Sequence, residues 1–250
     1  MLLHGFGLDH RSLLPLDTTF ERAGRWRRIY LDLHGATGSP AGSVSSSQEV
    51  ADAVLEEIRA RVGEEPFAIL GNSFGGMIAR YVAHELRAQV LGLATVAGVF
   101  VAPHDDRAVP PRTVLRHEPQ IEALLRGKAL EQYREDAVVE SIDDARAFVH
   151  YVLPGLDGAD QHTLDRIAQN YSLDREPEDA HPEPFVQPTL HVTGRQDDVV
   201  GYSDAWARIE HYPRASFAAL DAAGHNILFE QAELCSALIG EWLKRVRDSS

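Results

Sequence analysis

The chain has 250 residues, and its 24 Lys and Arg against 38 Asp and Glu leave a formal net charge of −14. Hydrophobic residues make up 44% and charged residues 25%, the balance of a folded globular protein rather than a disordered or fibrous one. The acidic surplus speaks against nucleic acid or an anionic membrane as a partner, because phosphate recognition needs a basic face.

At this length one large domain, or a domain plus a lid, is expected. The N-terminal stretch MLLHGFGLDH lacks the charged and long apolar regions of a signal peptide. Leu2-Leu3 reads as a short buried strand ahead of a Gly-rich turn, His4-Gly5-Phe6-Gly7. The basic run Arg25, Arg27 and Arg28 reads as a solvated entry to the strand Ile29-Tyr30-Leu31. Ser43 to Ser47 reads as a loop, and Ser46-x-x-Glu49 as a capping box. Val50, Val54, Ile58 and Val62 then follow at helical steps of four, with Gly63 as the stop. Phe67 to Leu70 is a strand, and Ser73 opens a helix carrying Met77/Tyr81 and Ile78/Val82/Leu86. Val90 to Val96 is the next strand.

Residues 103 to 187 break this rhythm. They are rich in proline and carry helical patterns at Ile121 to Leu125, at Tyr133 to Val139, and from Ser141 into Phe148 and Tyr151. A helical insertion is expected there. Strands resume at Thr189 to Val192 and Ser216 to Leu220. A last helix starts near Glu230, with Leu234, Leu238, Trp242 and Val246 along one stripe. Cys235, the only cysteine, falls on its apolar side as a core residue, so no intrachain disulfide or thiolate cluster can form. Short continuous apolar runs alternating with helices predict an α/β fold with a mostly parallel, doubly wound sheet. No apolar run approaches the roughly 20 residues of a membrane helix, and a soluble, cytoplasmic protein is expected.

The chemistry concentrates at strand ends. Gly71-Asn72-Ser73-Phe74-Gly75-Gly76 sits between a strand and a helix, the context in which G-x-S-x-G carries a nucleophilic serine. Asp221-Ala222-Ala223-Gly224-His225-Asn226 follows a strand and places His225 at the same sheet edge as a base. Gly194-Arg195-Gln196-Asp197-Asp198 follows another strand, with Asp197 preferred and Asp198 the alternative as the acid that orients the base. Backbone N–H groups of Phe74, at a helix N-terminus, and Phe6, on the Gly-rich turn, are candidates for holding an oxyanion. His4 and Asp32 read as anchors of turns, Asp32 for His34-Gly35. His104-Asp105-Asp106 has no matching ligand set and reads as a solvated loop. Gly5-x-Gly7 lacks the third glycine of a dinucleotide site. Phe100, Phe148, Tyr151 and Tyr171 either line a pocket or form the core of the insertion.

Taken in order, these elements resemble the α/β-hydrolase superfamily over nearly the whole chain. The matching motifs are His-Gly-Phe-Gly at 4 to 7, Asp32-Leu33-His34-Gly35 with Gly38-Ser39, the elbow at 71 to 76, Gly194-x-x-Asp197 and Gly224-His225. The resemblance implies a Ser73–His225–Asp197 triad, an oxyanion hole from Phe6 and Phe74, and a helical cap over 103–187 on a core of 1–102 and 188–250. It also implies two further strands ahead of Leu2-Leu3. Their apparent absence leaves an open edge at the strand around Ile29 to Leu31, as if the sequence started late.

The expected activity is a serine hydrolase acting on a small, largely apolar ester-like substrate: a carboxylic ester, lactone or thioester. Asn72 resembles the elbow of C–C bond hydrolases, but Asn226 stands where those carry tryptophan after the histidine. A small-molecule receptor on the same fold is the rival from another class. No metal or organic cofactor is expected. Activity should fall below the ordinary histidine pKa of roughly 6.5.

Overall fold

The computed structural model describes residues 1–24, 26–39 and 42–249. Its strands are β1 (Leu2–Leu3), β2 (Tyr30–Leu31), β3 (Phe67–Asn72), β4 (Val90–Val96), β5 (Thr189–Gly194) and β6 (Ala215–Leu220). They form one parallel sheet in the order β2-β1-β3-β4-β5-β6. β3 and β5 run two residues past their apolar stretches. Asn72 still pairs with Val96 and Gly194 with Leu220, because ladder bonds depend on the backbone and not on side-chain polarity.

The register decides where the site lies. Leu3 stands opposite Gly71, and Gly71 opposite Thr95. The loops leaving β1, β3 and β4 therefore emerge together at the carboxyl edge, where open α/β sheets place their ligands.

The helices on the sheet begin with α1 (Asp17–Ala23), α2 (Ser47–Arg61) and α3 (Phe74–Glu85). Ser46 caps α2 by accepting the N–H of Glu49 at 3.2 Å, while Glu49 reaches back to the N–H of Ser45 at 2.6 Å, one residue short of Ser46. Ser47, placed in the loop by sequence, is the first residue of α2 and fully buried. Gly63 takes φ +63° and donates to Arg59 O at 3.2 Å, a left-handed helix stop. Arg28 pairs with Asp17 at 3.1 Å; Arg25, the first member of the basic run, lies outside the described residues.

Between β4 and β5 the chain forms α4 (Ile121–Leu124), α5 (Lys128–Asp136), α6 (Ile142–Ala147), α7 (Leu153–Gly158), α8 (Gln161–Gln169) and α9 (Pro177–Ala180). Ser141 caps α6, and a π-helical stretch over Phe148–Val152 carries α6 into α7. The segment has its own apolar cluster, with Ile121, Leu125, Tyr133, Ala145, Phe148 and Val152 all buried. It is tied to the sheet edge by Arg11, which donates to Pro154 O at 3.2 Å, and by the N–H of Asp160, which donates to Gly35 O at 2.9 Å.

The return toward β5 is held by a buried ion pair. Arg80 of α3 has no solvent exposure and donates to Glu178 at 2.9 Å, Glu176 at 3.0 Å and Val99 O at 2.8 Å. Tyr212 also donates to Glu178. Phe100 lies 4.1 Å under the Arg80 guanidinium, so it belongs to this strut.

The chain closes with α10 (Ser203–Ala207), α11 (Ile227–Glu230) and α12 (Ala232–Asp248). The buried face of α12 is Cys235, Ile239, Trp242, Leu243 and Val246, whereas Leu234 is 50% exposed. The expected stripe from Leu234 is corrected for a geometric reason. Each step of four advances about 40° on a helix of 3.6 residues per turn, so the three steps carry Leu234 about 120° round from Val246, beyond the face that α12 buries. Asp32 is corrected too: it accepts from the His10 N–H at 2.7 Å and the His10 ring at 2.9 Å, and so anchors the loop after β1 instead of the His34 turn. Among the described residues no helix is long and apolar enough to cross a membrane.

Candidate active site

Ser73 takes φ 51° and ψ −118° between β3 and α3. A non-glycine residue there is strained by about 1–3 kcal/mol and persists only where its surroundings fix it. They do so here. The Ser73 N–H donates to Val96 O at 3.0 Å, and its carbonyl accepts from Gly76 at 2.9 Å and Val99 at 3.1 Å. The glycines are obligatory at this approach. A Cβ on Gly71 would lie 2.1 Å from Gly75 O, and one on Gly75 would lie 2.4 Å from Leu3 O.

The structure brings Ser73, His225 and Asp197 together. His225 Nε2 is 2.9 Å from Ser73 Oγ, and His225 Nδ1 is 3.1 Å from Asp197 Oδ2. Asp197 is fully buried, and its Oδ1 accepts the N–H groups of Val199 at 2.9 Å and Val200 at 3.0 Å. Its other oxygen accepts the imidazole Nδ1–H, which leaves Nε2 free to accept the serine hydroxyl. Asp198 instead faces Arg112, at 3.7 Å.

Burial opposes a charge on His225, but the charge and hydrogen bond of Asp197, joined by the charge of Asp136, outweigh it and push the pKa up to about 9. The ordinary value near 6.5 expected from sequence is therefore corrected upward. The physical reason is chiefly the buried Asp197 carboxylate, by its charge and its hydrogen bond, with a smaller push from Asp136, which the sequence does not place at the site.

Phe6 and Phe74 stand beside the serine with rings 5.3 Å apart, and Tyr171 closes a triangle at 5.4 and 5.3 Å. Phe74 is the first residue of α3, where the helix itself offers its N–H no acceptor. Among the described residues neither the Phe74 nor the Phe6 N–H is taken by a protein acceptor. His4 holds the Phe6 turn: its Nδ1 donates to Gly5 O at 2.8 Å, and its Nε2 accepts the Leu33 N–H at 2.9 Å.

These groups open into a cavity of about 540 Å³, walled on one side by Phe148, Val152, Leu156, Leu228 and Phe229. Phe148 and Tyr171 thus line it; Phe100 and Tyr151 do not, Tyr151 packing on His150 instead. The remaining wall is polar and includes Arg107, Gln132, Glu135 and Asp136. Exposed His104 is at the cavity rim. Glu230 fastens the insertion to the histidine loop, accepting the N–H groups of Val138 at 2.6 Å, Val139 at 3.0 Å and Gly224 at 2.7 Å. None of these polar residues carries a local motif. Their only sequence signal is the i, i+3, i+4 spacing of Gln132, Glu135 and Asp136.

The family model described as the alpha/beta hydrolase family matches residues 1–238. Among solved structures, an alpha/beta superfamily hydrolase from Oenococcus oeni PSU-1 superposes with a TM-score of 0.88 at 26% identity, covering 98% of this chain and 91% of that one. A thermophilic esterase from Thermogutta terrifontis gives 0.71 at 20% identity, over 98% and 89% of the two chains. An esterase from Exiguobacterium antarcticum gives 0.71 at 17%, over 97% and 90%. A comparison with curated proteins gives no match. A parallel sheet with a strained serine at its carboxyl edge, matched along all but the last residues, makes this chain a member of the alpha/beta hydrolase family and an enzyme of the hydrolase class.

Proposed function

We propose that the protein is a serine hydrolase that cleaves a small ester-like substrate, a carboxylic ester, lactone or thioester, through an acyl-enzyme. The observation that carries this reading is the unbroken hydrogen-bond chain from Ser73 Oγ through His225 to Asp197. Two of the structurally similar proteins named above are esterases, which agrees with it.

In this mechanism His225 Nε2 takes the hydroxyl proton as Ser73 Oγ attacks the carbonyl carbon. Asp197 holds the imidazole by its Nδ1–H and stabilises the imidazolium. The N–H groups of Phe6 and Phe74 receive the oxyanion, an arrangement whose loss typically costs about 2.7–4 kcal/mol per donor. His225 then protonates the leaving alcohol or thiol, and water, deprotonated by the same ring, releases the acid. All steps use protein groups and no cofactor. Residues 103–187 act as a cap over this chemistry, on a core of 1–102 and 188–250. The apolar wall takes the hydrocarbon part of the substrate. With a net charge of −14, the partner is a small molecule rather than nucleic acid or an anionic membrane.

The test is intact mass after exposure to a fluorophosphonate, with Ser73→Ala as control. Stoichiometric labelling of the parent alone is expected. A folded parent that takes no label overturns the reading.

A further inference from the structure

One wall of the cavity offers acceptors with nothing to accept. Gln132, Glu135 and Asp136 lie on one face of α5, spaced i, i+3 and i+4, and all three line the cavity that holds Ser73 and His225. Gln132 Oε1 is shut off from solvent and takes no hydrogen bond. An acceptor left in that state costs about 1–3 kcal/mol.

Asp136 is the more unusual group. It is the last residue of α5, where the helix dipole disfavours an anion. Burial works against its charge, and so do the carboxylates of Asp197, Glu135 and Asp198, while the charge of His225 favours it. Yet no hydrogen bond or ion pair to the Asp136 carboxylate is found among the described residues.

Other carboxylates taken out of solvent among the described residues have partners. Glu140 has Arg134 at 2.9 Å and the Glu118 N–H at 2.9 Å, Glu178 has Arg80, and Glu230 has three backbone N–H groups. Arg107 also lines the cavity, but its guanidinium is spent on the carbonyls of Val101, Ala102 and Val199, each at 2.8 Å. The His225 ring is spent on Asp197 and Ser73. Among the described residues, therefore, no donor is committed to the Asp136 carboxylate or to Gln132 Oε1, although a buried anion ordinarily needs a partner.

We propose that the α5 wall is the recognition site for an ammonium group of the substrate, with Asp136 as its counter-ion and Gln132 Oε1 as a second acceptor. This deepens the ester-hydrolase reading and rests on it: the preferred substrate is an ester, lactone or thioester whose acyl or alcohol part ends in an ammonium. The apolar residues Phe148 and Phe229 take the methylenes between that group and the carbonyl. Asp136 and Gln132 are specificity residues in this scheme, touching the far end of the substrate; the charge of Asp136 on His225 bears equally on every substrate.

The test compares aminoalkyl esters with methyl-ended isosteres of equal chain length, once with the amine on the alcohol side and once on the acyl side. The readout is the ratio of kcat/KM within each pair, which cancels any change in the triad common to both. Wild type is expected to prefer the ammonium ester of one pair by about tenfold or more. Asp136→Asn should bring that ratio to near one, and Gln132→Met should lower it in part. A wild-type ratio near one, or a preference that survives Asp136→Asn, overturns the proposal. Equal losses on both esters overturn it too, since they would make Asp136 a positioning residue for His225. Calorimetric binding of pentylammonium against pentanol reads the same wall without turnover. Binding of the ammonium that Asp136→Asn abolishes upholds the site even where no ester is cleaved. Equal weak binding of both ligands to wild type and variant overturns it while leaving Ser73 labelling to judge the hydrolase reading.

Discussion

At the scale of single residues, Ser73 and His225 make each other reactive, and each can be removed with a distinct signature. Ser73→Ala deletes the nucleophile and is expected to lower kcat on the order of 10⁶-fold, measured as initial rates on any ester the parent turns over. Asp197→Asn keeps the shape but presents an N–H to Nδ1, which favours the wrong tautomer; a loss on the order of 10⁴-fold is expected. The pH profile carries more information. The base must be neutral to take the serine proton, and Asp197, helped by the charge of Asp136, holds its pKa up to about 9. The kcat/KM of the free enzyme should therefore rise with pH, roughly tenfold per unit, and level off near pH 9. Asp136→Asn removes one of the two carboxylates that favour the imidazolium, so its limb should move to lower pH. A limb near 6.5 in both proteins would show that neither carboxylate governs the ring.

At the scale of elements, the site exists because β1, β3 and α3 approach more closely than side chains permit. A Cβ on Gly75 would meet Leu3 O at 2.4 Å and His4 O at 2.5 Å, both backbone atoms that cannot turn away. Gly75→Ala should push α3 from β1 and separate the Phe74 N–H from the Phe6 turn. The expected result is a lower melting temperature together with loss of fluorophosphonate labelling, followed by differential scanning fluorimetry and intact mass. A variant that melts and labels like the parent would sink this account. The elbow is also the most legible part of the sequence, because glycine, serine and the flanking apolar run are all local requirements. The limits of β4, Val90–Val96, are legible for the same reason: a continuous apolar run means a strand buried on both faces. What the sequence hides is set by tertiary partners. The sequence puts Leu234 and Cys235 alike on the apolar side of α12; Cys235 is buried as expected, and only the packing of α12 decides that Leu234 stays outside. Phe100 reads as either a pocket residue or core of the insertion until Arg80 is seen above it, and Asp32 serves His10 instead of His34. Asp136 carries no motif, and only the folding of α5 over the carboxyl edge brings it beside His225.

At the scale of the whole molecule, stability and activity respond to pH through histidines of opposite sign. Burial, aided by the nearby cations Arg87 and Arg80 and by His211, holds His84 down at about 3, and burial with Arg80 holds His191 at about 3. Both pack around Tyr212, which ties them to the strut of Arg80 and Glu178. Below roughly pH 6.5 the unfolded chain takes up protons that these two folded sites refuse, so stability should fall as pH drops from about 6.5 toward 3. His225 acts the other way. Its folded pKa is raised to about 9, so the stability it contributes is complete below about 6.5 and is lost as pH climbs through 9. The melting temperature should then peak near pH 6.5 and decline on both sides. The two flanks have different owners and can be separated by substitution. His84→Phe should make the acid flank shallower between pH 6.5 and 5, where ordinary carboxylates are not yet titrating and His191 still acts, and leave the alkaline flank in place. His225→Gln should flatten the alkaline flank and leave the acid one. If either substitution altered both flanks equally, the strut behind the sheet and the triad at its edge would have to be coupled. They lie at opposite ends of α3, with Ser73 capping its first turn and His84 in its last.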